Sequence, residues 1–186
     1  RDLSINAESG VKTEWRGKFL GLTEKGTTNS SGIPTGLDHI RDLGVTHVHL
    51  LPSYDYGSID ETMTEAQKEA NTSKQFNWGY DPMNYNVPEG SYSTDASHGE
   101  VRIKEFKEMV QALHKAGIAV ILDWVPAHFP KDGHGLSNFD GTCLYEHWDA
   151  RRGVHPDWGT LIFDYGRNEV KNYLIANALY WVEQYH

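Results

Sequence analysis

The chain has 186 residues, with 17 Lys and Arg against 26 Asp and Glu, ten His and a formal charge of -9. That length suits one domain with a sizeable core and is short for two, and the acidic balance without a Lys/Arg block argues against nucleic-acid or anionic-membrane partners. A single Cys, Cys143, excludes an internal disulfide framework and a multi-Cys zinc site, and no run of 18 apolar residues is present to span a bilayer.

The first residues, Arg1-Asp2-Leu3-Ser4-Ile5, read as a short strand-like piece without an apolar leader, which with the lone Cys favours a cytoplasmic location. Next comes a helix from Leu37 to Leu43, opened by Thr35-x-x-Asp38 and closed by Gly44. Thr46 to Pro52 is a strand-like run. A longer helix from Gly99 to Ala116 is opened by Ser97-x-x-Glu100 and closed by Gly117, with Phe106, Met109, Val110 and Leu113 as its apolar stripe. Ala119 to Val125 is the stronger strand, and both strands are apolar and β-branched enough to be covered on two faces. The last helix starts near Glu169, capped by Asn168, and carries Val170, Leu174, Ala178 and Trp181 on one face. The order helix, strand, helix, strand, helix indicates an α/β fold with a parallel sheet, open or closed into a barrel. Because the sequence stops inside a helix, it reads as an excerpt from a larger protein.

Two segments, 53–96 and 126–167, follow the strand ends and are far longer than the usual βα loop of about 2–6 residues. Their Trp, Tyr, Gly, Pro, Asp and His content suits ordered loops lining a site, at the end of the sheet where parallel α/β proteins build one. Residues 57–75, polar and Glu- and Thr-rich, read as a mobile surface excursion.

Asp123 and His128 lie five residues apart across a strand-to-loop junction, a spacing that lets both reach one pocket and hold a hydroxyl-rich ligand. The alternative is an Asp that caps the turn and a His bonded to backbone. In Phe76-Asn77-Trp78-Gly79-Tyr80-Asp81-Pro82, rings separated by Gly and Pro form a rigid surface. There Trp78 is expected to pack the loop down and Tyr80 to face a ligand. His47-x-His49 places two imidazoles on one strand face, so a metal-dependent hydrolase is the alternative that uses them. The signatures of nucleotide binding, α/β-hydrolases and zincins are missing, and no cofactor is expected. Carboxylates at Asp2, Asp81, Asp123, Glu146, Asp149 and Asp164 are candidates for the pair, about 5–5.5 Å apart, that a retaining glycosidase needs.

Several runs resemble a known family. Gly17 to Glu24, His47 to Pro52 and Phe76 to Tyr92, with Asn77-Trp78-Gly79-Tyr80-Asp81-Pro82 the most specific, are similar to type I pullulanases and place residues 1–118 with them. Val120 to Pro130, Phe139 to Thr142, Leu144 to His147, Asp157 to Thr160 and Tyr165 to Val170 resemble glycogen (1,4-α-glucan) branching enzyme and place residues 119–186 there. The change falls near 114–121, which reads as a junction between two related parents within one segment, 1–186. Both groups are α-amylase-family glycoside hydrolases, so the resemblance implies a partial (β/α)8 TIM barrel of about three βα units with two long βα loops. It implies an α-glucan partner (pullulan, glycogen, amylopectin or maltooligosaccharide) and retention of configuration. Tyr80 would stack on the sugar beside the cleaved bond, Asp123 and His128 would contact it, and Asp81 would support Tyr80. Ala127 stands where many members carry a calcium-binding Asn, so no metal is assigned. No carboxylate here matches the family's nucleophile or acid/base, so the catalytic set is none and the isolated chain is expected to be inactive. A non-catalytic α-glucan-binding module using Tyr80, Trp78 and His128 is the other alternative.

Overall fold

The computed structural model describes residues 1–63, 67, 70 and 76–186. Among the described residues the main elements are α1 (Gly36–Asp42), β1 (His47–Leu50), β2 (Tyr54–Tyr56), β3 (Pro82–Pro88), α2 (Gly99–Lys115), β4 (Ala119–Leu122), α3 (Ala150–Gly153) and α4 (Asn168–Tyr185). They form two compact units. Of the described residues, 1–50, 61–63 and 88–122 make the first, and 51–60, 67, 70, 76–87 and 123–186 the second.

In the first unit β1 and β4 pair in parallel, from His47 opposite Ala119 to Leu50 opposite Leu122. The parallel sheet expected from the βα alternation is therefore present as this pair. Helix α2 returns the chain between them and packs against β4. Its Phe106, Met109, Val110 and Leu113 are buried as the periodicity indicates, with Phe106 edge-on to Phe19 at 5.2 Å. At its C-terminus the Ile118 N–H bonds to the Leu113 carbonyl and the Gly117 N–H to that of His114, with Gly117 at φ +78°. This left-handed stop satisfies orphan carbonyls and needs a residue without a Cβ penalty.

Three expectations for this unit are corrected. The expected capping boxes do not form. Thr35 donates its hydroxyl to the Ser9 carbonyl, while Asp38 accepts from the Gly26 N–H. Before α2, Ser97 and His98 both bond to Asp95, which holds that carboxyl at about 2, and His98 becomes the cap position. Tertiary and loop partners outcompete the helix ends for these side chains. The strands are also not covered on both faces, since His47 and His49 are exposed in β1 and Ile121 in β4. Leu3-Ser4-Ile5 forms a turn closed by the Ser4 and Ile5 N–H groups on the Arg1 carbonyl, not a strand. Of the excursion 57–75, residues 64–66, 68–69 and 71–75 lie outside the described residues. Glu61, within it, is anchored by a two-bond ion pair with the buried Arg102 guanidinium at 2.9 and 2.6 Å.

The second unit is built on rings. Tyr85, Phe129, Leu136, Leu161, Phe163, Val170 and Leu174 form its core, with Tyr145, Val154 and Tyr173 packed on its margin. The long segments carry regular structure of their own. β2 and β3 pair in one, and in the other Leu161 bridges both Phe129 and Val154 while Glu146 bridges Phe163. Helix α4 begins one residue earlier than expected, and Arg167, not Asn168, takes the cap position. The Arg167 guanidinium spends its donors on the Cys143 and Leu144 carbonyls. Val170, Leu174 and Trp181 are buried along α4 as expected, with Ala178 half-buried.

The buried stripe of α4 contains a polar residue that apolar periodicity passes over. Asn177 donates to the Tyr85 carbonyl at 2.7 Å and to Asn86 Oδ1 at 2.8 Å, and accepts from Trp124 Nε1 at 2.8 Å. Buried polar groups persist only when paired, and stranding one costs about 1–3 kcal/mol. Asn177→Leu keeps the branched side-chain skeleton but leaves Trp124 and Asn86 without this partner. It is expected to lower unfolding free energy by about 2–4 kcal/mol in urea denaturation.

Candidate functional site

Gly79 sets the start of the site. Its φ is +87°, and a Cβ there would lie 2.3 Å from the Pro52 carbonyl oxygen. Only glycine fits both the left-handed backbone and that approach. Asn77 closes the turn, its Oδ1 accepting from the Gly79 N–H at 2.6 Å and its amide donating to Asp81 Oδ1 at 2.8 Å and to Ser58. The next residue, Tyr80, is thereby presented with its ring partly in solvent.

Tyr80 meets the two residues singled out from the strand-to-loop junction. Its phenol donates to Asp123 Oδ2, and its carbonyl lies 2.7 Å from His128 Nε2. A carbonyl only accepts, so Nε2 carries the proton. Nδ1 of His128 is buried and has no hydrogen-bond partner among the described residues. Asp123 is thus a phenol acceptor instead of a turn cap, whereas His128 is bonded to backbone as the alternative reading holds. Residues behind it are braced too, with Tyr85 donating to the His128 carbonyl at 2.7 Å and Tyr165 to the Pro126 carbonyl at 2.8 Å.

The electrostatics follow from these contacts. Donation to Asp123 raises the Tyr80 phenol above its ordinary value, because the phenolate would lose the bond and face a like charge. Burial, and then the Asp123 charge, raises Tyr54 as well. Removing the Asp123 charge therefore has a defined sign. In Asp123→Asn the Tyr80 phenol is expected to titrate at lower pH, closer to an unperturbed tyrosine, followed by NMR of ring-labelled tyrosine. Gly79→Ala is expected to break the Tyr80–Asp123 contact and destabilise the chain by about 1–3 kcal/mol, readable as the same phenol shift plus a lower melting midpoint.

Of the sequence candidates, Tyr80, Asp123 and His128 come together. Asp81 adjoins them in sequence, but the contact it makes is with Asn77, so it supports the turn beneath Tyr80. Trp78 is corrected. It is 60% exposed, edge-on to the exposed Phe76 at 5.9 Å, and does not pack the loop down. Gly79 reverses the chain and leaves this ring outside. Among the other carboxylates, Glu146 accepts from the Asn138 N–H in the interior, Asp149 caps α3 and Asp164 accepts from Gly166. His47 bonds to Thr46 Oγ1, and neither it nor His49 belongs to a cluster of three potential metal ligands among the described residues.

Trp158 lies in the run Asp157 to Thr160 that carries part of the resemblance, but the resemblance gives it no role, although its place between Asp157 and Gly159 is a setting that presents a ring outward. Its ring lies 5.2 Å from that of His128 and 4.8 Å from that of His155, yet it is 64% exposed.

Comparison with known proteins decides the family. The alpha amylase catalytic domain profile matches residues 16–139. The chain belongs to the α-amylase family. It is 47% identical over 150 residues to the 1,4-alpha-glucan branching enzyme GlgB of Gloeobacter violaceus, covering 81% of this chain and 17% of that protein. The corresponding enzyme of Cellvibrio japonicus is 40% identical over 172 residues, covering 92% and 19%. Among solved structures, the pullulanase of Paenibacillus barengoltzii superposes with a TM-score of 0.84 at 46% identity, covering all of this chain and 28% of that one. The pullulanase of Bacillus acidopullulyticus superposes equally well, at 0.84 and 37% identity, with 22% of its chain covered. The chain is therefore a partial TIM-barrel region of the α-amylase family, spanning less than a third of each of these proteins.

Proposed function

We propose that this α-amylase-family chain supplies the sugar-recognising part of a retaining α-glucan hydrolase or transglycosidase, with Tyr80, Asp81, Asp123 and His128 around the sugar beside the scissile bond. The observation that carries the reading is the partly exposed Tyr80 ring, pinned at its phenol by Asp123 and at its carbonyl by His128. A ring fixed at two points loses little freedom when a pyranose stacks on it. Asp123 adds a charged acceptor for sugar hydroxyls, and His128 acts as a positioning residue through the Tyr80 backbone. In support, the similar Paenibacillus barengoltzii pullulanase was solved with maltohexaose and alpha-cyclodextrin.

On this reading the chain contributes about three of the eight βα units of a barrel. Runs before residue 118 lean towards debranching enzymes and those after it towards branching enzymes, which is the basis for a two-parent origin. Double displacement needs a nucleophile and an acid/base carboxyl. The carboxylates of these 186 residues match neither, so the chain by itself binds glucan without turning it over. Exposed Trp78 beside Tyr80 gives a binding-only module the same ligand and the same test.

A thermal melt with maltotetraose provides that test. Saturating ligand at a hundred times its Kd adds about 2.7 kcal/mol of stability, so the midpoint is expected to rise in the parent chain and to rise far less in Tyr80→Ala. An unshifted midpoint for the parent overturns glucan recognition. Turnover of pullulan or amylose that scales with purified chain overturns the absence of catalysis.

A further inference from the structure

We propose that Trp158 is a second sugar-stacking platform, next to His128, that extends the glucan site by one pyranose ring beyond Tyr80. The inference rests on the glucan reading above and names a residue of the same site. Trp158 touches two imidazoles, His128 at 5.2 Å and His155 at 4.8 Å, and still leaves 64% of its surface in solvent. A large ring seated against two imidazoles is pre-oriented while most of its surface stays open to a ligand.

Its loop is rigid. The His155 N–H bonds to the Thr160 carbonyl at 2.9 Å and the Gly159 N–H to the His155 carbonyl at 2.8 Å, with Gly159 at φ +68°. At the base of the loop, Leu161 bridges both Val154 and Phe129, the residue after His128. Trp158 is thus tied to the backbone that carries His128, which is itself bonded to the Tyr80 carbonyl.

A second, independent observation concerns His128. Its side chain is 8% exposed, and Nδ1 is buried without a hydrogen-bond partner, beside the rings of His155 and Trp158. A polar atom left unpaired under an exposed ring marks a place where the molecule keeps a cost that packing alone does not explain. A pyranose suits this surface. Its C–H face covers the indole, and its hydroxyls meet the polar margin formed by His155 and Asp157.

The test compares maltotriose with maltohexaose in calorimetric titrations of the full chain and of its Trp158→Ala, Trp158→Phe and Tyr80→Ala variants. Trp158→Ala is expected to weaken maltohexaose about tenfold and maltotriose much less, erasing most of the gain with chain length. Trp158→Phe is expected to recover most of that gain, because a flat ring remains. Melts without ligand check folding, and the exposed loop position predicts unchanged midpoints for both. If Tyr80→Ala weakens both sugars while folded Trp158→Ala and Trp158→Phe bind both like the parent, the platform is overturned and the glucan reading stands. If the parent binds neither sugar, both are overturned. If Trp158→Ala unfolds while Trp158→Phe and an aliphatic Trp158→Leu fold, the platform stands when the phenylalanine variant keeps the gain with length and the leucine variant loses it, and it falls when the leucine variant keeps the gain or the phenylalanine variant loses it.

Discussion

Tyr85 of β3 donates its phenol to the His128 carbonyl while its own carbonyl accepts from Asn177 and Trp181, both in α4. One residue thus joins a strand, a helix and the backbone of the candidate site. Its ring also lies against Tyr54, Phe163 and Tyr173, so hydrogen bonds and aromatic packing hold the same position. Burial raises the phenol above its ordinary value, which keeps it neutral and a donor. A buried hydroxyl without its acceptor costs about 1–3 kcal/mol, and here that cost would fall on the segment that positions His128.

The site built on this support is a relay from interior to surface. Tyr85 fixes His128, His128 fixes the Tyr80 carbonyl, and the Tyr80 phenol reaches Asp123 at the edge of solvent. Each link is short and uses a different group of the same residue, so displacement of one is passed to the next. Exposed rings gather along this path, with Trp78 and Phe76 before Tyr80 and Trp158 beside His128. Elsewhere in the second unit Tyr54, Tyr85, Phe129, Phe163 and Trp181 are buried, whereas Phe139, Trp148 and Tyr165 are exposed as well. The buried rings hold the fold, and of the exposed ones those beside Tyr80 and His128 stand where a flat, weakly hydrated ligand face could cover them.

Membership of the α-amylase family fixes the scaffold but not the outcome of the chemistry, which belongs to carboxylates in particular positions. Branching and debranching relatives match the same chain at 47% and 46% identity, so the shared architecture does not choose between them.

Much of the fold was legible locally. The βα alternation, the stripe of α2 and the glycine stops at Gly44 and Gly117 are short-range consequences of periodicity and of φ angles that side chains resist. Tyr80, Asp123 and His128 could also be picked out, by strand-end position and by a specific motif. Illegible were the events that depend on residues far apart in sequence. Thr35 and Asp38 left the expected capping box for Ser9 and Gly26, and the buried Asn177 hid within an apolar stripe, whereas Ser97 was lost to a local competitor, Asp95. Trp78 turned outward, and Trp158 came to rest on His128. The sequence alone determined α1, α2, α4, β1 and β4 and which side chains could do chemistry, since those follow from each residue and its near neighbours, but it showed neither the pairing of β2 with β3 nor the turn at Leu3-Ser4-Ile5. Only the tertiary structure decided which polar groups pair and which rings stay exposed, because desolvation and hydrogen bonding are settled between surfaces that meet after the chain has folded.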